Sequence, residues 1–266
     1  MDSEKELKWA ILIDADNISD KYIKIILDET SKSGIATYKR IYGDWTNPQL
    51  ASWKKVLLEN SIIPMQQYSY TTGKSATDSA MIIDAMDILY SRTVDGFCIV
   101  SSDSDFTRLA ARLREAGMQV IGMGESKTPK PFISACNQFK YLDILLNQQN
   151  AGSKAAEKKQ NSREKAEKEP QNAKQAKDEP EPQNNLKIIK QELLTIVDDC
   201  SDDDGWALSS VIGDQLAKRF PDFDVRNFGC SKFTQFMNNL GLFEMKRSAS
   251  GVVYFKIKES PKKQAL

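Results

Sequence analysis

The stretch from Ala151 to Asn185 contains no Val, Ile, Leu, Met, Phe, Tyr or Trp, and this gap in the apolar pattern divides the chain. The segment carries eight Lys or Arg residues, seven Asp or Glu residues and three prolines. Because it cannot bury enough apolar surface to offset the entropy of ordering, it does not belong to a packed core. We therefore expect a disordered charged linker over residues 148–185 between two domains, residues 1–147 and 186–260.

Before this linker, short apolar runs alternate with segments of helical periodicity. The runs predict strands at Trp9–Ile13, Ala36–Tyr42, Ser61–Gln67, Gly96–Val100 and Gln119–Met123. The periodic segments predict helices at Ser19–Ser31, Pro48–Glu59, Thr77–Tyr90, Phe106–Ala116 and Lys130–Asn137, with Gly117 ending the fourth. Short strands that alternate with helices are typical of a parallel sheet covered on both faces, so the expected fold class is α/β.

The segment after the linker has a different pattern. Three helices are predicted at Leu186–Asp199, Ala207–Phe220 and Ser231–Leu240, followed by a hairpin of Leu242–Lys246 and Val252–Ile257. Three helices and a two-stranded hairpin are typical of a small winged-helix domain, a common nucleic-acid-binding shape.

The composition excludes several classes of site. Histidine is absent, which removes Ser-His-Asp and Cys-His catalysis and every zinc site that needs imidazole. Cys98, Cys136, Cys200 and Cys230 form no C-x-x-C pair, which disfavours a four-cysteine metal site and fits a reduced environment. Lys and Arg total 37, as do Asp and Glu, so any nucleic-acid binding must come from local patches. No early apolar segment or long apolar run occurs, so we expect no signal peptide, no membrane span and a cytoplasmic location.

Four aspartates lie where apolar runs end or helices begin. Asp14 ends the first predicted strand, Asp103 and Asp105 follow the fourth, and Asp78 opens the third predicted helix. Ligands of open parallel sheets bind at the carboxyl ends of the strands, so three of these acids share one edge. Two carboxylates ~4 Å apart repel by about 4 kcal/mol at an effective dielectric near 20. Such a group must bind protons or a hard cation, and without histidine the remaining chemistry is water activated by Mg²⁺ or Mn²⁺.

Each aspartate also has a simpler interpretation. Ser75-Ala76-Thr77-Asp78 matches a capping box, in which Asp78 only stabilises a helix N-terminus. Asp103 or Ser104 could cap the helix that starts near Phe106. Asp84 lies six positions after Asp78, about 240° around the helix axis, so we expect it to face elsewhere.

Other polar residues complete the candidate site. Lys74 lies in the basic loop Thr71-Thr72-Gly73-Lys74 and is suited to contact a phosphate, although an ordinary exposed lysine fits as well. Ser101 and Ser102 could bond a phosphate or orient a carboxylate, and Asn17 adds an oxygen ligand near Asp14.

These motifs resemble the NYN domain family, in its LabA-like branch within the PIN-like nuclease superfamily. The resemblance covers roughly residues 7–146 and rests on three ordered motifs: Ile11-Leu12-Ile13-Asp14-Ala15-Asp16-Asn17, Lys74-Ser75-Ala76-Thr77-Asp78 with Asp84, and Val100-Ser101-Ser102-Asp103-Ser104-Asp105-Phe106. It implies a Rossmann-like sheet and a metal-dependent ribonuclease site. Asp14, Asp78, Asp103 and Asp105 fall on the family's acidic positions, and Asn17 falls on its asparagine.

The C-terminal segment resembles the LOTUS (OST-HTH) domain, a winged-helix module. The resemblance rests on residues 204–213 and 223–233 and implies binding of RNA or, in some members, of protein partners. From Leu186 onward the sequence has twelve Lys or Arg against eleven Asp or Glu. The module is therefore not strongly basic as a whole. A single local basic patch is expected, formed by Arg226, Lys232, Lys246, Arg247 and Lys256. The aromatic residues Trp206, Phe223, Phe228 and Phe233 are expected in the core rather than as base-stacking platforms.

Three functions remain open from the sequence. The first is a ribonuclease that uses Mg²⁺ or Mn²⁺, with a tethered RNA-binding module. The second is a non-catalytic RNA-binding or adaptor protein. The third is a HAD-type phosphatase with Asp14 as nucleophile, although Asn17 stands where that motif has Thr or Val. Self-association is left open.

Overall fold

The computed structural model describes residues 6–68, 76–150 and 182–258. The chain forms two compact units, which meet in sequence between Lys159 and Gln160. No helix in the three described ranges is long and apolar enough to cross a membrane.

A parallel sheet forms the centre of the first unit. Its strands are β1 (Lys8–Asp14), β2 (Ile35–Gly43), β3 (Ile63–Gln66), β4 (Gly96–Val100), β5 (Gln119–Gly124) and β6 (Gln138–Tyr141). The spatial order is β3-β2-β1-β4-β5-β6, and every neighbouring pair is parallel. All residues of β4 are buried, which is why this strand is continuously apolar in sequence rather than alternating.

Helices cover both faces of this sheet. They are α1 (Ile23–Ser31), α2 (Trp53–Asn60), α3 (Ala76–Ser91), α4 (Thr107–Glu115), α5 (Lys130–Ala135) and α6, described over residues 142–150. The core on one face includes side chains from α1, α2 and α6, and the core on the other face includes side chains from α3, α4 and α5. Short 3-10 turns precede three of the helices, at Asp20–Tyr22, Pro48–Leu50 and Ser104–Phe106.

The order of the strands reverses between β1 and β4. From β1 the chain moves outward to β2 and β3, and α3 then returns it to β4 on the other side of β1. Ile13 of β1 pairs with Val100 of β4, so the segments that follow both strands leave the sheet side by side. A reversal of this kind opens a crevice at the carboxyl ends of parallel strands, where ligands of such sheets bind.

The second unit contains three helices and a small antiparallel sheet. Its elements are α7 (Pro182–Asp199), β7 (Ala207–Leu208), α8 (Ser209–Arg219), α9 (Phe233–Leu240), β8 (Phe243–Arg247) and β9 (Val253–Ile257). The sheet order is β7-β9-β8. Leu193, Ile212, Phe236 and Phe255 are completely or almost completely buried in its core. Gly251 has a φ of 83° in the hairpin turn, a backbone region that glycine enters at no steric cost.

The predicted fold class is confirmed, with corrections to individual elements. Strand β6 and helix α6 were not predicted, and Ala207 and Leu208 form a short strand where a helix was expected. Strand β3 starts later than predicted because Ser61 ends α2 in the left-handed conformation, with a φ of 52°. Most of the predicted linker lies outside the described residues, and helical residues of α6 and α7 occupy its two ends.

Candidate functional site

Three carboxylates meet at the carboxyl edge of the first sheet. Asp78, Asp103 and Asp105 each offer an oxygen, and these oxygens all lie within 4.8 Å of one another. Asp78 and Asp103 are half-buried, and Asp105 is exposed. Among the described residues, this is the group of acidic side chains that could hold a metal ion.

Two different elements bring these acids together. Asp78 lies in the first turn of α3, which packs against β1 and β2 and contacts the 3-10 turn Ser104–Phe106. Asp103 and Asp105 lie in the segment directly after β4, at the reversal in strand order. The return of the chain through α3 is therefore what places Asp78 opposite the end of β4.

The segment after β4 is held by its own hydrogen bonds. The Ser101 N–H donates to the Met123 carbonyl at 3.0 Å, which keeps this residue in line with β5. The Asp103 N–H donates to Ser101 Oγ at 3.0 Å, and the Asp105 N–H donates to Asp103 Oδ1 at 2.9 Å. Asp103 therefore caps the 3-10 turn, and its side chain also belongs to the acidic group.

Asp14 differs from the expectation, because it is not a member of the group of three. Its side chain is completely buried at the end of β1. Asp14 Oδ2 accepts hydrogen bonds from Ser101 Oγ at 2.8 Å and from Asn17 Nδ2 at 2.7 Å, and Oδ1 accepts from the Asp16 N–H at 3.1 Å. Burial raises the pKa of the Asp14 carboxyl above its ordinary value, although the bonds from Ser101 and Asn17 oppose this shift.

A short hydrogen-bonded chain nevertheless connects Asp14 to the acidic group. Ser101 Oγ donates to Asp14 and accepts from the backbone of Asp103. The ends of β1 and β4 are therefore linked through one hydroxyl group.

Ser102 connects the same segment to the next strand. Its Oγ accepts a hydrogen bond from the Glu125 N–H at 2.9 Å, just after the end of β5. The hydrogen bond of Ser102 therefore connects the segment after β4 to the end of β5 at the edge of the sheet.

Lys74, the predicted phosphate contact, lies outside the described residues.

Asp84 is not a member of the group of three and bonds to strand β2 instead. It accepts hydrogen bonds from Arg40 Nη1 and Tyr42 Oη, both on β2, and the contact with Arg40 is also an ion pair. Burial, and then the neighbouring Asp84 carboxylate, raise the pKa of Tyr42 well above its ordinary value. The sequence did not reveal this network, because Asp84 lies more than forty positions after both of its partners, and their contact depends on how α3 packs on the sheet.

In the second unit, part of the expected basic patch is already engaged. Arg226 makes a bidentate contact with Asp224, with Nη2 2.7 Å from Oδ2 and Nε 3.0 Å from Oδ1. Lys256 Nζ donates to the Asp204 carbonyl at 2.9 Å. Lys232 and Arg247 are exposed.

Four aromatic residues of the second unit were expected in its core. Three phenylalanines lie there, whereas Trp206 does not. Phe223, Phe228 and Phe233 pack against the core and contact the ring of Phe236, with centroid distances of 5.4, 5.0 and 6.4 Å. Trp206 is half-buried like these phenylalanines but is not among the residues packed against the core, and Lys246 Nζ lies 5.5 Å from its ring centroid.

Comparisons with known proteins agree with this architecture. The NYN domain model matches residues 8–143, and the chain belongs to the NYN family. The OST-HTH/LOTUS domain model matches residues 184–254 of the second unit. The first unit is thereby placed in the PIN-like nuclease superfamily, and the second in a class of RNA-binding modules.

A solved structure is also similar to part of the chain. It is the crystal structure of a protein of unknown function from Vibrio parahaemolyticus, 20% identical in sequence, with a TM-score of 0.45. The similarity covers 53% of this chain and 96% of that chain. No curated protein matches the sequence.

Proposed function

We propose that this protein is a metal-dependent ribonuclease whose active site is the group Asp78, Asp103 and Asp105. The observation that supports the proposal most strongly is the approach of three carboxylate oxygens to within 4.8 Å, at the sheet edge of an NYN domain. Such a group is repulsive unless a cation or protons neutralise it.

The donor set fits Mg²⁺ or Mn²⁺. Asp78, Asp103 and Asp105 supply only hard oxygen ligands, which these ions prefer, and they leave room for water because Asp105 is exposed. When bound, such an ion lowers the pKa of a coordinated water and neutralises charge on a phosphodiester.

The other residues of the site hold these three acids in position. Ser101 fixes the backbone at Asp103, and the buried Asp14 holds the Ser101 hydroxyl. Asn17 donates to Asp14 and limits the orientations of its carboxylate. We propose that Asp14 contributes to catalysis through this positioning, and Lys74 is retained as a phosphate contact.

The second unit supplies a binding function in this proposal. A tethered module raises the local concentration of RNA near the nuclease unit, even without a new contact between the units. Lys232, Lys246, Arg247 and Lys256 are the proposed contacts. Arg226 contributes less, because Asp224 already occupies its guanidinium.

Two alternatives predict different behaviour. A non-catalytic adaptor would bind RNA without turnover under any divalent metal. A HAD-type phosphatase needs an accessible Asp14 oxygen as its nucleophile. The structure disfavours this function, because Asp14 is buried and both of its oxygens accept hydrogen bonds.

A cytoplasmic location remains part of the proposal and is supported by the free thiols of all four cysteines.

The proposal is tested by incubating the full chain with matched RNA and DNA strands in Mg²⁺, in Mn²⁺ and in EDTA. We expect cleavage of RNA in the presence of metal, no cleavage in EDTA, and reduced cleavage by Asp14→Asn. Cleavage by the wild type that persists in EDTA would rule out a metal-dependent site, and RNA binding without cleavage in either metal would favour the adaptor.

A further inference from the structure

Two arginines follow the acidic group along the outer side of α4. Arg108 lies three positions after Asp105, and Arg112 lies four positions after Arg108, so all three share one side of the helical segment. All three are exposed, whereas Leu109, Ala110 and Leu113 on the opposite side are buried. The two arginines are about 6 Å apart along the helix axis, given a rise of 1.5 Å per residue.

Neither guanidinium group has a partner among the described residues: both lack an ion pair and a side-chain hydrogen bond there. By contrast, Arg114 of the same helix donates to the carbonyls of Ser134 and Ala135 at 3.3 Å. The outer arginines are therefore available to a ligand, whereas Arg114 is used to hold α4 against α5.

The placement of Arg108 is unfavourable for the helix dipole, whereas Arg112 lies in the last turn of α4, where a cation is favoured. Arg108 lies in the first turn of α4, where the helix dipole disfavours a cation, and this turn has no acidic residue. Arg108 and Arg112 are also like charges at a spacing of four residues, which repel each other. An anionic ligand would remove both penalties.

We propose that Arg108 and Arg112 bind the phosphate backbone of single-stranded RNA and guide it along α4 towards Asp78, Asp103 and Asp105. This inference rests on the proposed function. A planar guanidinium bonds phosphate oxygens in a bidentate manner, and such contacts hold a strand in register without reading its sequence. RNA is a better candidate for this ligand than an acidic protein surface. The two arginines follow directly after the acidic group that is proposed to act on a phosphodiester.

The test uses the full chain carrying both Arg108→Gln and Arg112→Gln, with a short unstructured RNA strand labelled for fluorescence anisotropy. Affinity is measured in EDTA over a range of salt concentrations, so that the result does not depend on turnover. Each phosphate contact of a single strand contributes about 0.7 to the slope of log affinity against log salt. We therefore expect the double variant to lose about 1.4 of this slope.

Two further proteins serve as controls. The double variant Lys8→Gln and Arg92→Gln removes the same charge at the amino edge of the sheet, and we expect its slope to match the wild type. The double variant Arg108→Lys and Arg112→Lys keeps the charge, and we expect it to recover most of the slope. In metal-dependent cleavage, Arg108→Gln with Arg112→Gln should raise KM and leave kcat within about twofold.

The outcomes separate this inference from the proposed function. An unchanged slope and affinity in the glutamine variant, or an equal loss in the Lys8 and Arg92 control, would overturn the role of the arginines. Loss of slope together with a wild type that never cleaves RNA would support the arginine contacts and overturn the ribonuclease proposal.

Discussion

Ser101 joins the buried carboxylate of Asp14 to the backbone of Asp103 through a single hydroxyl group. Ser101→Ala removes both hydrogen bonds. Outer-shell partners of this kind typically contribute 10–100-fold to metal affinity or activity, so we expect a fall of about 10–100-fold in the rate of metal-dependent cleavage. The measurement is kcat as a function of Mn²⁺ concentration.

Ser126→Ala is the matched control for this variant. Ser126 donates to Asp143 at an exposed position after β5, and its loss should change the rate by less than about twofold, as for other exposed surface sites. A rate for Ser101→Ala equal to that of the wild type would contradict the positioning role of Ser101.

The sequence could locate the acids at the sheet edge but not predict which of their carboxylates lie close together. Asp103 and Asp105 were expected at the sheet edge because they follow an apolar strand, and the structure places them there. Topology alone grouped them with Asp14, whereas the oxygens that gather belong to Asp78, Asp103 and Asp105. The difference arises from burial and from Ser101, which lies 87 positions from its partner Asp14.

At the scale of elements, the position of α3 determines where Asp78 lies. Asp84, in the same helix, receives hydrogen bonds from Arg40 and Tyr42 and so attaches α3 to β2. Asp84→Ala leaves a half-buried guanidinium and a buried hydroxyl without this acceptor. We expect a loss of about 1–3 kcal/mol in stability of the first unit, together with a lower cleavage rate because Asp78 is less firmly held.

Hydrogen exchange of peptides from β1 and β4, followed over increasing urea concentration, measures this loss of stability. Asp87→Ala is the control, because Asp87 is exposed on the same helix, and we expect a change within about 0.5 kcal/mol. Equal stability of the Asp84 and Asp87 variants would show that the network does not hold α3.

Two strands could not be predicted from the sequence, and each omission has a physical reason. Strand β6 has only four residues, Gln138–Tyr141, and mixes polar with aromatic residues, so no continuous apolar run marks it. The strand Ala207–Leu208 is too short to leave a period in the sequence and exists because it pairs with Tyr254 and Phe255. Helix α4 was found because its apolar residues Leu109, Ala110 and Leu113 recur at helical spacing and are the ones that the structure buries.

At the scale of the whole molecule, each unit has its own core. Phe255 is completely buried in the core of the second unit. Phe255→Ala should destabilise that unit by about 3–5 kcal/mol. The first unit should keep its stability and its kcat, while KM for RNA rises because the tethered module no longer binds.

Hydrogen exchange over the full chain distinguishes the two units in one experiment. Protection should fall in peptides from α8, α9 and β9 and stay unchanged in those from β1, β4 and β5. A parallel loss of protection in the first unit would contradict the independence of the two cores.

Single-turnover cleavage of one RNA strand decides whether Asp78, Asp103 and Asp105 form a metal-dependent centre for RNA cleavage. Rates are compared for the wild type, for Asp78→Asn, Asp103→Asn and Asp105→Asn, and for the control Asp87→Asn, with Mn²⁺ and with EDTA. We predict that each of the three variants loses at least about 100-fold in rate, which corresponds to about 2.7 kcal/mol, while Asp87→Asn cleaves like the wild type. Cleavage by the three variants at the wild-type rate, or cleavage by the wild type that is unchanged in EDTA, would show that these carboxylates do not form a metal-dependent centre.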